Sequence, residues 1–115
     1  MKYKLYSVYL VDFKSNEGGE FSGKHYAVVL TDVSMPDNTL LVAPLTSKKS
    51  GKKYRDGITV DCLKYQSNPS HLKAFIRTNK IREISISRIY SKEKYSLDSD
   101  DIEKLKNSIK NTFKL

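Results

Sequence analysis

Residues 40–45, Leu-Leu-Val-Ala-Pro-Leu, make a continuous apolar run that stops at two adjacent hydroxyls, Thr46 and Ser47. Lys48, Lys49, Lys52, Lys53 and Arg55 follow at once, in a segment that also holds Ser50 and Gly51. A run this short, closed by turn formers, fits a buried strand better than a helix. A buried strand is rigid, so the two hydroxyls would sit at a fixed rim beside a cationic loop. Fixed donors surrounded by positive charge suit the grip of a phosphodiester. The same pattern also describes a strand end followed by an ordinary solvated lysine loop.

The chain on either side is β-patterned. Residues 6–13 alternate Tyr6, Val8 and Leu10 against Ser7, Tyr9 and Val11 and predict a first strand. Residues 14–23 are turn-rich and contain Gly18-Gly19, which predicts a loop. The apolar run 27–30 predicts a central strand. Pro36-Asp37-Asn38 then turns the chain back, so that 40–45 pairs antiparallel with it. Residues 57–63 alternate Ile58, Val60 and Cys62, Asn68-Pro69-Ser70 breaks the pattern, and 72–76 and 84–89 are further β-prone segments.

Only the end reads as helix, over 98–113. Asp98 or Ser99 can cap it, Asp100, Asp101 and Glu103 favour its first turn, and lysines fill the later turns. Ile102, Leu105, Ile109 and Phe113 form one apolar face. Short strands followed by a terminal helix predict a small antiparallel barrel over 4–92 with the helix packed on it, in one domain spanning 1–115.

The 115 residues carry 21 Lys+Arg against 13 Asp+Glu, a net charge of +8. That excess favours an anionic partner, nucleic acid first and a membrane surface second. The single cysteine, Cys62, excludes an internal disulfide and, with only two histidines, cannot build a zinc site. Its alternating surroundings predict a buried, inert thiol. No apolar window approaches a membrane span, and the first residues lead into a strand, so a soluble cytoplasmic protein without membrane contact is expected.

Two segments together bring a family into view. Residues 19–30, Gly-Glu-Phe-Ser-Gly-Lys-His-Tyr-Ala-Val-Val-Leu, resemble the Gly-x-Glu-x-x-Gly-x-Arg-Pro-x-Val-Val-Leu signature of the MazF/PemK toxins. Ala43-Pro44-Leu45-Thr46-Ser47 looks like that family's second strand, which ends in a Thr/Ser pair. Ile76-Arg77-Thr78-Asn79-Lys80-Ile81-Arg82 resembles its Ile-Arg-Thr-x-x-Lys-x-Arg segment, and 96–113 its closing helix. The resemblance implies a mainly β fold with one helix, an SH3-like barrel of the CcdB/PemK type. It also implies a homodimer and a ribonuclease that cuts single-stranded RNA without a metal or other cofactor. A co-encoded antitoxin would neutralise it, expected to be an acidic protein.

The chain departs from the family at one important place. Where the family has Arg-Pro, this sequence has His25-Tyr26. Pro44 to Lys49 also resembles the ToxN-type toxins, whose antitoxin is a repeat RNA and whose upstream lysine Lys24 would match. A third relative of the fold, the CcdB type, acts by binding a topoisomerase. A barrel that binds RNA or a protein target without cutting therefore stays open as an alternative.

Metal-free RNA cleavage needs a base for the 2′-hydroxyl, an acid for the leaving 5′-oxygen and donors for charge growing on the phosphate. Imidazole suits proton transfer near neutral pH. His25, next to a core strand, is the candidate for it, and Thr46 and Ser47 are the candidate phosphate donors. Lys24 or Lys49 would supply fixed positive charge, and Glu20 would orient His25 or act as the base. Antiparallel pairing brings Lys24-His25 near Thr46-Ser47 without appeal to the family. Lys48, Lys52, Lys53, Arg55, Arg77 and Arg82 are candidate RNA contacts, and Tyr54 and Tyr65 candidate stacking platforms. His71, after Asn-Pro-Ser, reads as an exposed loop residue with no assigned chemistry.

Overall fold

In the computed structural model, residues 3–14 and 23–115 are described. Among the described residues, seven strands form one antiparallel sheet: β1 (Ser7–Asp12), β2 (Lys24–Val29), β3 (Thr39–Ser47), β4 (Gly57–Asp61), β5 (Lys73–Arg77), β6 (Arg82–Ser85) and β7 (Tyr95–Ser96). The helix α1 (Ser99–Phe113) closes the chain. The sheet runs β4-β5-β3-β2-β1-β7, with β6 also on β3. It is a half-barrel with a C-terminal helix, as the sequence led one to expect.

β3 is the central strand. One edge pairs with β2, from Ala27–Pro44 to Val29–Val42. The other pairs first with β6, ending at Val42–Arg82, and then with β5, starting at Leu45–Ile76. Pro44, which has no N–H to donate, falls in the gap between those two ladders.

Both faces of the sheet are covered. Val8, Val28, Ala43, Leu45, Val60 and Ile76 join Leu105 of α1 in one core. Their sequence neighbours Tyr9, Ala27, Val29 and Val42 join Val11, Phe13 and Ile84 in a second core. A stretch buried on both sides needs apolar residues at successive positions, as at 27–29 and 42–45, while Leu41 is 38% exposed.

Asp98 caps α1 by accepting from the Asp101 amide at 2.9 Å. Asp101 does more than favour the helix dipole. It is buried, accepts from the Tyr65 hydroxyl at 2.5 Å and faces the Lys64 ammonium at 3.3 Å. Tyr65 also accepts from the Asp98 amide at 2.9 Å and stacks on Tyr95 at 4.7 Å. The helix start is thereby stapled to the sheet.

Several local expectations need correction. Phe113 is 52% exposed and leaves the apolar face to Ile102, Leu105 and Ile109. The strand expected over 84–89 stops at Ser85, whose hydroxyl accepts from the Ser87 amide and starts a short 3₁₀ turn. The strand expected over 57–63 stops at Asp61 for the same reason, its carboxylate accepting from the Leu63 amide. Cys62 lies buried in that turn, and burial pushes its thiol pKa up. Among the described residues no helix is long and apolar enough to cross a membrane.

Candidate active site

The paired register of β2 and β3 ends at Ala27–Pro44. Counting on, His25 would stand opposite Thr46 and Lys24 opposite Ser47, but the ladder has stopped and β3 continues with β5 alone. A cavity of about 360 Å³ opens between the separated strand ends. Lys24, His25 and Tyr26 line it from β2, and Leu45, Thr46 and Ser47 from β3. Ser70 and His71 enter from the loop before β5, Lys73 and Ala74 from β5 itself, and Lys94 and Tyr95 from the far edge.

Strand alternation puts His25 on the side of Ala27 and Val29, and its ring lies 6.2 Å from that of Phe13. Phe13 in turn carries the Arg82 guanidinium at 5.5 Å from its ring centre. His25 is therefore half-buried against a fixed aromatic wall. Lys24 and Tyr26 face the other way. The Lys24 ammonium sits 5.0 Å from the Tyr90 ring, and the Lys94 ammonium 3.7 Å from the Tyr26 ring. Asp12, paired with Lys24 across the strands, is held below the usual carboxylate range, first by the Lys14 amide it accepts from and then by Tyr90 and the nearby lysines. Tyr95 is pushed well above the usual phenol range by burial.

A second cavity, of about 400 Å³, lies beside Thr46. Lys52, Lys53, Tyr54, Arg55 and Asp56 line it together with Phe75, Arg77 and Asn79. Thr46 is opposite Phe75 in the β3–β5 ladder. The Tyr54 ring packs on Phe75 at 5.0 Å, while its hydroxyl accepts from the Lys49 amide at 2.8 Å and donates to the Ser47 carbonyl at 3.2 Å. The lysine loop is thus tied back to the end of β3. The Lys48 and Lys52 ammonium groups lie 5.9 and 5.7 Å from the Tyr54 ring. Gly57 permits this packing. A Cβ there would meet the Ile76 carbonyl oxygen at 2.0 Å and the Phe75 ring at 2.6 Å.

Thr46 is the residue both cavities share. The first gathers Lys24, His25, Thr46 and Ser47 as the sequence suggested, and the second gathers Lys52, Lys53, Arg55 and Arg77. Three candidates line neither. Lys48 donates to the Thr59 hydroxyl at 2.8 Å, Lys49 is engaged through its amide, and Arg82 lies on Phe13. Glu20 lies outside the described residues. Tyr65 belongs to the helix staple and not to the basic region. Lys73 and Lys94 carry no motif in the sequence, and His71, which reads there as an exposed loop residue without assigned chemistry, lines the first cavity. For His71 and Lys73 the usable signal was the β-prone segment 72–76, which had only to be paired with the end of β3.

The family model for the PemK-like, MazF-like toxin of type II toxin–antitoxin systems matches residues 4–113. The chain belongs to the PemK/MazF toxin family. MazF from Deinococcus radiodurans has a similar structure, with a TM-score of 0.75, 15% identity, and coverage of 100% of this chain and 99% of that one. The Mycobacterium tuberculosis toxin MazF-mt6 gives 0.68 at 16% identity, covering 95% and 97%. A mycobacterial endoribonuclease in complex with its cognate antitoxin gives 0.68 at 10% identity, covering 96% and 94%. No curated protein sequence matches the chain. Within this PemK/MazF fold, the departure at His25-Tyr26 falls on the wall of the smaller cavity, beside the Thr46-Ser47 strand end.

Proposed function

We propose that this MazF-like toxin is a metal-independent endoribonuclease that cuts single-stranded RNA by attack of a 2′-hydroxyl on the adjacent phosphate. The observation that carries the reading is the position of Thr46, at the join of a histidine-bearing cavity and a cation-and-aromatic one. A strand of RNA laid across β3 puts one phosphate at Thr46 and Ser47, with neighbouring nucleotides in the flanking cavities. The two hydroxyls donate to the non-bridging oxygens, and Lys24 and Lys73 add positive charge where negative charge grows. His25 moves a proton at the reacting centre. Lys52, Lys53, Arg55 and Arg77 hold the backbone, and Tyr54 offers a face for a base. Lys49 is left as a supporting positive charge, and Glu20, outside the described residues, keeps the role of orienting His25 or acting as the base.

A homodimer and an acidic protein antitoxin belong to the same proposal. A disordered acidic segment would lie across the basic cavity and order on binding. The test is purified toxin with single-stranded RNA in EDTA. Fragments with 5′-hydroxyl ends, abolished by a 2′-deoxy substitution at the cut site, support the reading. Intact RNA that is nonetheless bound favours the second reading, a barrel that binds without cutting. The replacement of Arg-Pro by His25-Tyr26 is the observation on its side.

A further inference from the structure

We propose that His71 is the second proton-transfer group of this centre, working with His25 on the same phosphodiester; the inference rests on the nuclease reading above. The chain has two histidines, and both line one cavity of about 360 Å³ although they come from different parts of the fold. His25 enters from the start of β2, and His71 from the loop that leads into β5.

The backbone next to His71 is pinned from two sides. The Leu72 carbonyl accepts from the Cys62 amide at 2.9 Å, and the Lys73 carbonyl from the Lys48 amide at 3.0 Å. The imidazole is exposed at the cavity rim while its attachment is fixed, which suits a group that must reach a passing substrate. The titratable groups around it are Lys24, His25 and Tyr26 from β2, Lys73 from β5, and Lys94 and Tyr95 from the far edge. No carboxylate is among the described residues of that lining. Lysine and tyrosine ordinarily titrate near 10, so the two imidazoles are the lining groups suited to exchanging protons near neutral pH.

Transphosphorylation needs two such groups in one step. The 2′-oxygen bonds to phosphorus as the bond from phosphorus to the 5′-oxygen breaks. The proton of the 2′-hydroxyl goes to the neutral imidazole, and the protonated imidazole gives its proton to the 5′-oxygen. A 2′,3′-cyclic phosphate and a 5′-hydroxyl result, with no other reactant.

Single-turnover cleavage of an RNA oligonucleotide against pH tests this, with the wild type and His71→Asn compared. The wild type should give a bell with two limbs. The variant should lose one limb and slow by about 100-fold or more, with its affinity for the uncleavable 2′-deoxy oligonucleotide within a few fold of wild type. An oligonucleotide with sulfur in place of the leaving 5′-oxygen then assigns the role. Restored cutting makes His71 the acid; unrestored cutting makes it the base. A variant that keeps both limbs, whether its rate is unchanged or falls together with affinity, overturns the proposal. RNA left intact by the wild type would instead overturn the nuclease reading beneath it.

Discussion

The Tyr54 hydroxyl donates to the Ser47 carbonyl oxygen at 3.2 Å, joining the cationic loop to the end of the central strand. The Tyr54 hydroxyl oxygen in turn accepts from the Lys49 amide at 2.8 Å, and the ring rests on Phe75. Tyr54→Phe keeps the ring contact and removes both hydrogen bonds. The loop should loosen by about 1 kcal/mol. The expected result is several-fold weaker binding of an uncleavable 2′-deoxy oligonucleotide, with the melting temperature lowered by only about 4–8 °C.

Lys52 and Lys53 line the larger cavity and face the solvent. If they hold phosphates, replacing both by Ala should flatten the dependence of log affinity on log salt. For a single strand the slope should fall by about 0.7 per lost contact. Titrations at several salt concentrations measure it, and an unchanged slope would remove these residues from the interface.

Gly57 is required for steric reasons, since any side chain overlaps the Ile76 carbonyl and the Phe75 ring. Gly57→Ala should cost at least about 1–3 kcal/mol and displace Phe75 from beneath Tyr54. A lower urea midpoint together with weaker RNA binding is expected. A neutral outcome would mean that β4 and β5 can separate to admit a methyl group at little cost.

The helix staple gives stability a definite pH dependence. The hydrogen bond from Lys64 holds Asp98 below the ordinary aspartate range, followed by the Asp101 amide. A carboxyl whose folded pKa is depressed stabilises the fold above its unfolded value of about 3.9 and loses that contribution as pH falls through the folded value. Lys64 is shifted upward, with Asp98 as the first cause. Its contribution is present below about 10.4 and fades as pH rises through the higher folded value. Asp98→Asn keeps a good helix cap but should weaken both limbs. Chemical denaturation from pH 2 to 11 would show it.

The sequence made the central hairpin and the helix legible because their burial is local in origin. The runs 27–30 and 40–45 owe their continuous apolar character to burial on both sheet faces at 27–29 and 42–45, and α1 carries its own cap and spacing. β7 was not legible, being only Tyr95–Ser96 paired to β1. The exposure of Phe113 was not legible either, because helical spacing says nothing about where the sheet ends. On the site, Lys24, His25, Thr46 and Ser47 followed from one hairpin. His71 and Lys73 depended on the pairing of Ser47 with Ala74, a long-range contact that the β-prone pattern of 72–76 does not specify by itself. Lys94 reaches the cavity from the opposite end of the sheet.

On the proposed mechanism RNA is cut at the end of β3, where Thr46 joins the two cavities. The direct measurement is single-turnover cleavage by Thr46→Val, paired with its affinity for the uncleavable 2′-deoxy oligonucleotide. Loss of one donor to the developing phosphate charge should slow cutting by about 100-fold or more and leave affinity within a few fold. Cleavage at the wild-type rate would mean that the reacting phosphate does not sit at Thr46.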